Sequence, residues 1–349
     1  MVIVFAVPGD LATPTGGYAY DRRIVAELRS LGRHVDVLDL GEGFPQPCVA
    51  TKDAACAQLA ALPEGATAVI DGLALGVLPE AAAVVHRTHR LVAMVHHPLA
   101  LETGLSEAEA AAVEESERTA LSFAHRVITT SDSTAQRLVT DYAVPAAKIA
   151  VVRPGTDPVA LRAREKPGDT IRLLAVGSII PRKGYDVLVA ALARLADLPW
   201  RLVVAGDRDR DSSTASALDA DIARLRLDGR ITILGAVSPE QLSVHYASAD
   251  LFVLPSRFEG FGMAYTEAIA HGLPVVGTTA GAIPEAVPKG AGVLVPPDDV
   301  DALAAALRRL MERPAEREQL AQAARSAAAR LGTWPEAGRQ FMQALDGIA

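Results

Sequence analysis

Two glutamates, Glu259 and Glu267, stand with seven residues between them in the stretch LFVLPSRFEGFGMAYTEAIAHGLPVVGTTAGAIPE, residues 251–285. The short apolar run LFVLPS predicts a buried strand. A turn containing Gly260 and Gly262 follows, and MAYTEAIAHG predicts a helix closed by Gly272. A loop therefore feeds a helix N-terminus at the carboxyl end of a strand, where free N–H groups and the helix dipole favour a phosphate. One acid lies in the loop and the other about a turn into the helix. That arrangement suits a diphosphate flanked by two hydroxyl-rich groups, which is the description of a nucleoside diphosphate sugar.

Other chemically capable residues fall where further strands are expected to end. After IRLLAVG comes SIIPRKGYD, which sets Arg182 and Lys183 just before the helical pattern YDVLVAALARL. Two cations there can neutralise a diphosphate leaving group, and they act on rate through the charge that develops as the bond breaks. TPTGGYAYDRR offers Gly16 and Gly17, whose bare backbone can approach a phosphate or sugar closely. It is not a dinucleotide fingerprint, because no G-x-G-x-x-G follows the first strand. The run LVAMV ends at His96, His97 and Pro98. Asp207, Asp209 and Asp211 have the spacing of a D-x-D metal site. Arg208 and Arg210 alternate with them, so the run is read as a solvated loop with no metal.

The glutamate pair, with GFG inside it and GLPVV soon after, resembles the signature of the family-4 retaining glycosyltransferases. The resemblance runs from Gly16 to about Glu285. It implies the GT-B architecture and transfer of a sugar from a nucleoside diphosphate donor, of UDP or GDP type, to an acceptor hydroxyl. The attack comes from the face the diphosphate leaves, with no metal and no cofactor. By the same resemblance His96, Arg182, Lys183 and Glu259 form the catalytic set, with His97 as the alternative to His96. Glu259 and the backbone of Gly260, Phe261, Gly262, Met263 and Ala264 lie by the donor sugar, and Glu267 binds the ribose. Gly16 and Gly17 sit beside the diphosphate, and Gly206 and Val237 line the nucleoside pocket. Lys183-Gly184 matches the family pattern, whereas Ser178 stands where many members carry arginine, so Arg182 is expected to supply that charge. Two other readings keep the same architecture: a sugar-nucleotide epimerase or phosphorylase, and a non-catalytic protein that binds nucleotide sugars.

The elements that must hold these residues are legible as twelve short apolar runs. Six lie in the first half (VIVFAV, HVDVLDL, ATAVIDG, RLVAMVHH, RVITTS, IAVVRPG) and six in the second (IRLLAVG, RLVVAGD, ITILGA, LFVLPS, PVVGTT, GVLVPP). Alanine- and leucine-rich stretches with helical spacing separate them. Alternation of this kind predicts an α/β protein built of two doubly wound, Rossmann-like parallel-sheet domains facing across a cleft, with ligands at the carboxyl ends of the strands. The expected domains are 1–165 and 166–332, and the resemblance implies that the first binds the acceptor and the second the nucleotide sugar. The polar segment 157–170 links them. Residues 333–349 read as an amphipathic helix, and the resemblance implies that it returns to the first domain, with Trp334 marking the crossover. A length of 349 residues also favours two cores over one.

Bulk properties exclude several classes. Net charge is −8; residues 1–165 carry 14 Lys and Arg against 20 Asp and Glu, and the remainder 20 against 22. Neither half is basic, which argues against nucleic acid and against strong binding to anionic membranes. The acidic segment 101–118 is expected to be a solvated helix face. Cys48 and Cys56 have no cysteine or histidine cluster beside them, so neither zinc nor a disulfide framework is indicated, and a reducing cytoplasm is the expected setting. The N-terminus MVIVFAVPGD lacks the basic region of a signal peptide, and no run approaches a membrane span.

Overall fold

The computed structural model describes residues 2–102, 104–159 and 169–348. The chain divides into two compact units, 1–155 with 332–349, and 156–331. The first division therefore falls earlier than the boundary expected at 165, because the chain has already left its first sheet by Val151 and Thr156 belongs to the second unit. Residues 160–168, where most of the linker was expected, lie outside the described residues.

Unit 1 contains one six-stranded sheet: β1 (Val2–Val7), β2 (His34–Asp39), β3 (Thr67–Asp71), β4 (Arg90–Val95), β5 (Arg126–Thr129) and β6 (Ile149–Val151). Their spatial order is β2-β1-β3-β4-β5-β6 and every pairing is parallel. Parallel strands need a crossover between each pair, and the helices that supply it cover the sheet faces. This is why the central strands are apolar without alternation: Phe5, Ala6, Val7, Val69, Ile70, Leu91, Val92, Ala93, Met94 and Val95 are all fully inaccessible. The order reverses between β1 and β3, so the carboxyl ends of β1, β3 and β4 gather at a topological switch point.

The helix Gly16–Ser30 follows β1 and starts at Thr15, whose hydroxyl accepts from Tyr18 N. The final helix, Trp334–Asp346, belongs to this unit. It opens on a reciprocal cap between Thr333 and Glu336 and buries Trp334, Phe341 and Leu345. Phe341 lies 6.2 Å from Phe5, and Trp334 lies 6.0 Å from Tyr20, so the returning helix packs on β1 and on the helix Gly16–Ser30. The acidic helix Glu107–Ser122 is exposed at Glu107, Glu109 and Glu115, as a solvated face should be. Glu117 departs from that expectation. It is buried, and its carboxylate accepts from Leu99 N at 2.9 Å.

Unit 2 repeats the plan with β7 (Ile171–Val176), β8 (Trp200–Ala205), β9 (Ile231–Ile233), β10 (Leu251–Val253), β11 (Val275–Thr278) and β12 (Gly292–Val295). The order is β12-β11-β10-β7-β8-β9, again all parallel, with the switch point between β10 and β7. Its core is larger and carries the bulky residues Trp200, Tyr246, Phe252 and Tyr265 among aliphatic side chains. Among the described residues, no helix is long and apolar enough to cross a membrane.

Candidate functional site

The glutamate turn of unit 2 forms as the sequence reading requires. Strand β10 ends at Val253, and the helix Met263–Ala270 begins at Gly262, whose φ of +100° is left-handed and turns the loop into the helix. Gly272 closes that helix with its φ of +68°, after which Leu273 N bonds Ala268 O. At the end of β7 a short 3₁₀ turn, Pro181–Lys183, precedes the helix Tyr185–Ala193. Both loops thus rise from the two strands that flank the switch point.

They meet at Glu259. Its Oε1 accepts from Lys183 Nζ at 2.7 Å and from Ser256 Oγ at 2.6 Å, and its Oε2 accepts from Arg182 Nη1 at 3.2 Å. Arg182 Nη1 also donates to Phe258 O at 2.9 Å. Glu259 and Arg182 are buried. Burial alone would raise the Glu259 carboxyl, but the charges of Lys183 and Arg182 overcome it and bring it down to about 2. Burial also pulls Lys183 below its ordinary value; Glu259 opposes this and the neighbouring Arg182 adds to it. Glu259 therefore carries a fixed negative charge at neutral pH, and the cations beside it are held by that charge in a water-poor setting.

Arg257 braces the same turn. Its backbone N–H bonds Arg182 O at 2.8 Å. Its guanidinium donates to Asp186 Oδ2 at 2.7 Å and Asp298 Oδ1 at 2.6 Å. Thr278, on β11, donates to Ser256 O at 2.6 Å. Neither Arg257 nor Ser256 stood out in the sequence, although both lie within three residues of Glu259.

Glu267 sits on the helix Met263–Ala270, half-buried, and accepts from the Tyr246 hydroxyl at 2.9 Å. Burial raises its carboxyl to about 7; the Tyr246 bond opposes the rise and the charge of Asp157 adds to it. Phe261 is buried, while Gly260, Met263 and Ala264 are half-buried around the helix start. Val237 is half-buried in the loop after β9. Gly206, at the end of β8, has a packing reason for its identity: a Cβ there would stand 1.8 Å from Gly177 O. The adjacent β7 end can approach only because that Cβ is absent.

The Asp207–Asp211 run is occupied by local structure. Asp207 Oδ1 accepts from Asp209 N at 2.8 Å, Asp211 Oδ1 caps the helix Ser212–Arg224 through Thr214 N at 2.9 Å, and Arg208 pairs with Asp219. These contacts use the aspartates as turn and cap residues.

In unit 1, His96 lies immediately beyond β4 with its ring among buried groups. Its Nε2 is 3.1 Å from Asp21 Oδ1 and 3.5 Å from Asp71 Oδ2. Asp21 belongs to the helix Gly16–Ser30, and Asp71 is the last residue of β3, where its Oδ1 also caps a short helix through Leu73 N at 2.6 Å. Tyr20 meets the His96 ring edge-on at 5.4 Å and donates its hydroxyl to Val152 O at 2.9 Å. Gly17 packs on the ring: a Cβ there would lie 3.3 Å from Cδ2. Gly16 is the exposed first residue of its helix. His97 turns to Glu102, its Nε2 2.6 Å from Oε1. Of the two histidines, His96 is therefore the one set among the strand-end acids of the switch point. Asp21 and Asp71 were missed in the sequence because one reads as the polar face of an amphipathic helix and the other as a strand terminus.

Two doubly wound parallel sheets, each with chemically equipped loops at its switch point, define the GT-B class of glycosyltransferase fold. Solved structures agree. Sucrose-phosphate synthase from Thermosynechococcus elongatus superposes with a TM-score of 0.81 at 23% identity, covering 99% of this chain and 98% of that one. Anabaena Alr3699/HepE in complex with UDP-glucose gives a TM-score of 0.75 at 19% identity, covering 99% of each. Residues 72–159 match the family model Glycosyltransferase Family 4, and residues 159–327 match Glycosyl transferases group 1. The chain belongs to this glycosyltransferase family. The MMP alpha-(1->4)-mannosyltransferase of Mycolicibacterium hassiacum is 32% identical over 271 residues, 72% of this chain and 63% of that protein. The D-inositol 3-phosphate glycosyltransferase of Kineococcus radiotolerans is 35% identical over 231 residues, 58% of this chain and 53% of that protein. The matches thus span between half and two-thirds of the length of these curated relatives.

Proposed function

We propose that the protein is a retaining glycosyltransferase that moves a sugar from a nucleoside diphosphate sugar, of UDP or GDP type, to an acceptor hydroxyl. The observation that carries this reading is the cluster at the unit 2 switch point, where Arg182 and Lys183 converge on Glu259 beside the start of the helix Met263–Ala270. One of the three N–H donors of the Lys183 ammonium goes to Glu259. The others serve the diphosphate, which gains negative charge as its bond to the sugar breaks. Arg182, buried against Glu259, fixes that carboxylate and supplies the second positive charge in place of an arginine at Ser178. Glu259 and the backbone of Gly260 through Ala264 take the sugar, and Glu267 accepts from the ribose hydroxyls. Gly206 and Val237 border the nucleoside. In unit 1, Gly16, Gly17 and His96 serve the donor's phosphate and sugar oxygens.

On this reading the acceptor oxygen bonds to the anomeric carbon on the face from which the diphosphate departs, and the acceptor proton passes to the leaving phosphate. Charge stabilisation rests on side chains, so chelators leave the rate unchanged. Support for that comes from Asp207, Asp209 and Asp211, whose carboxylates and backbone are engaged in turns and a helix cap. The test is a panel of nucleotide sugars scored for thermal stabilisation, followed by nucleoside diphosphate release with hydroxyl acceptors and determination of product anomeric configuration. Stabilisation by no nucleotide sugar refutes the reading, and an inverted product refutes retention.

A further inference from the structure

Asp21 and Asp71 raise a problem of charge. Asp21 is fully inaccessible and Asp71 nearly so, and both point an oxygen at the same imidazole nitrogen. Two ionised carboxylates beside a neutral ring would bury a double negative charge, which a protein interior does not tolerate without compensation. No Lys or Arg lies within ion-pairing distance of either acid among the described residues; the ionic partner of both is His96. The neighbours of the ring from other elements are Tyr20, whose hydroxyl is committed to Val152 O and whose own ionisation burial suppresses, and Thr130, whose hydroxyl donates to the His96 carbonyl at 3.4 Å. Arg23 lies over the Trp334 ring, 5.0 Å from its centroid, and Trp334 in turn lies 6.0 Å from Tyr20. Compensation must therefore come from protons on the trio itself.

We propose that Asp21 and Asp71 are positioning residues that hold His96 as a doubly protonated imidazolium, donating Nε2–H to the acids and presenting Nδ1–H to a ligand oxygen. The geometry divides the ring accordingly. Gly17 covers the Cδ2 edge and the acids take Nε2, while among the described residues Nδ1 makes no hydrogen bond. The ring retains some exposure, with 18% of its side chain accessible, so one edge is open to a ligand. The electrostatics agree in direction. Burial would lower the histidine, but Asp21 and Asp71 raise it far above its usual range; burial raises Asp21 to about 7, with His96 opposing and Asp71 adding. One proton thus sits on His96 through the neutral range, and near neutrality a second binds Asp21, whose Oδ2 is buried with no hydrogen-bond partner, while His96 and the Leu73 N–H hold Asp71 ionised.

The consequence concerns mechanism and rests on the glycosyltransferase reading. An imidazolium cannot accept the acceptor's proton, so His96 is not a general base. It is a charged hydrogen-bond donor suited to a sugar hydroxyl or a phosphate oxygen. The departing phosphate is then left as the proton acceptor.

The direct test is nitrogen NMR of the folded full chain labelled at histidine, with the His96 signals assigned by loss in His96→Gln. The expected result is that both ring nitrogens of His96 carry protons from pH 6 to 8, and that Asp71→Asn or Asp21→Asn shifts its titration down by at least one pH unit. A wild-type His96 that is a single neutral tautomer at pH 7 overturns the proposal, and this reading needs neither acidic variant to fold. Stoichiometric zinc or manganese in the purified protein, lost in Asp21→Asn, overturns it as well, because the metal would then neutralise the acids. The activity arm compares kcat at saturating donor. Wild type is expected to be flat from pH 6 to 8, and Asp71→Asn to lose activity as pH rises. Coincident profiles overturn the functional half of the proposal, while the NMR result stands independently of whether sugar transfer is the reaction.

Discussion

Replacing Glu259 with glutamine tests the central cluster with little change of shape. Glutamine keeps an oxygen for Ser256 Oγ and Lys183 Nζ but removes the charge that holds Arg182 and Lys183 together. The cost follows from two routes. Bringing the carboxyl from 4.5 to about 2 corresponds to about 3 kcal/mol at neutral pH. Removing one partner of a buried ion pair costs about 3–5 kcal/mol. For a unit the size of 156–331, at roughly 2–4 °C per kcal/mol, the melting temperature falls by about 6–20 °C. The sign with pH is fixed: the folded value is below the unfolded one, so the stabilisation is complete above about pH 4.5 and is lost as pH falls toward 2. Wild type and variant should therefore converge in acid. Trp200, buried in unit 2, reports this unfolding by fluorescence once Trp334 of unit 1 is changed to phenylalanine. Inorganic pyrophosphate should raise the melting temperature of Glu259→Gln more than that of wild type, because an anion then takes the vacated charge. A variant within about 1 kcal/mol of wild type at pH 7, or a gap that persists unchanged to pH 3, would refute the reasoning.

Three further outcomes are expected. Lys183→Ala should lower kcat/KM by about a hundredfold, the scale of one lost transition-state charge partner, yet destabilise less than Glu259→Gln because Arg182 and Ser256 still hold the carboxylate; steady-state kinetics and melting curves check both. Donor affinity should rise as pH increases through about 7, where Glu267 becomes a carboxylate able to accept from ribose, and Glu267→Gln should flatten that dependence in calorimetric titrations. Gly206→Ala should destabilise unit 2 by about 1–3 kcal/mol or more, since its methyl would overlap Gly177 O; a neutral melting temperature would show that the β7 and β8 ends separate freely.

All twelve strands were legible: the central ones, covered on both faces, are continuous apolar runs such as LVAMV or LFVLPS, and the edge strand β2 shows as the alternating HVDVLD. The glutamate turn was legible for a similar reason: its strand, loop, helix and capping glycine are contiguous, so local rules reach them all. Strand order was not, since β10 pairs with β7 across two intervening strands and three α-helices. The environment of His96 was hidden for the same cause. Asp21 and Asp71 come from different elements, and nothing in DRRIVAEL or TAVIDG signals that an acid is buried. Glu117 shows the opposite failure, an acid in a charged helix that reads as solvated but caps the N–H of Leu99 from inside.

The chain leaves unit 1 at Gly155 and rejoins it at Gly332, and these two crossings run side by side. A Cβ on Gly155 would lie 2.2 Å from Trp334 N, and one on Gly332 would lie 4.0 Å from Pro154 O. Unit 2 is thus topologically an insertion whose two ends emerge at a shared stem. A short peptide joining residue 155 to residue 332 would excise it without stretching what remains. The architecture lends itself to cut-and-splice engineering, in which one module can be exchanged while the last helix stays docked on β1.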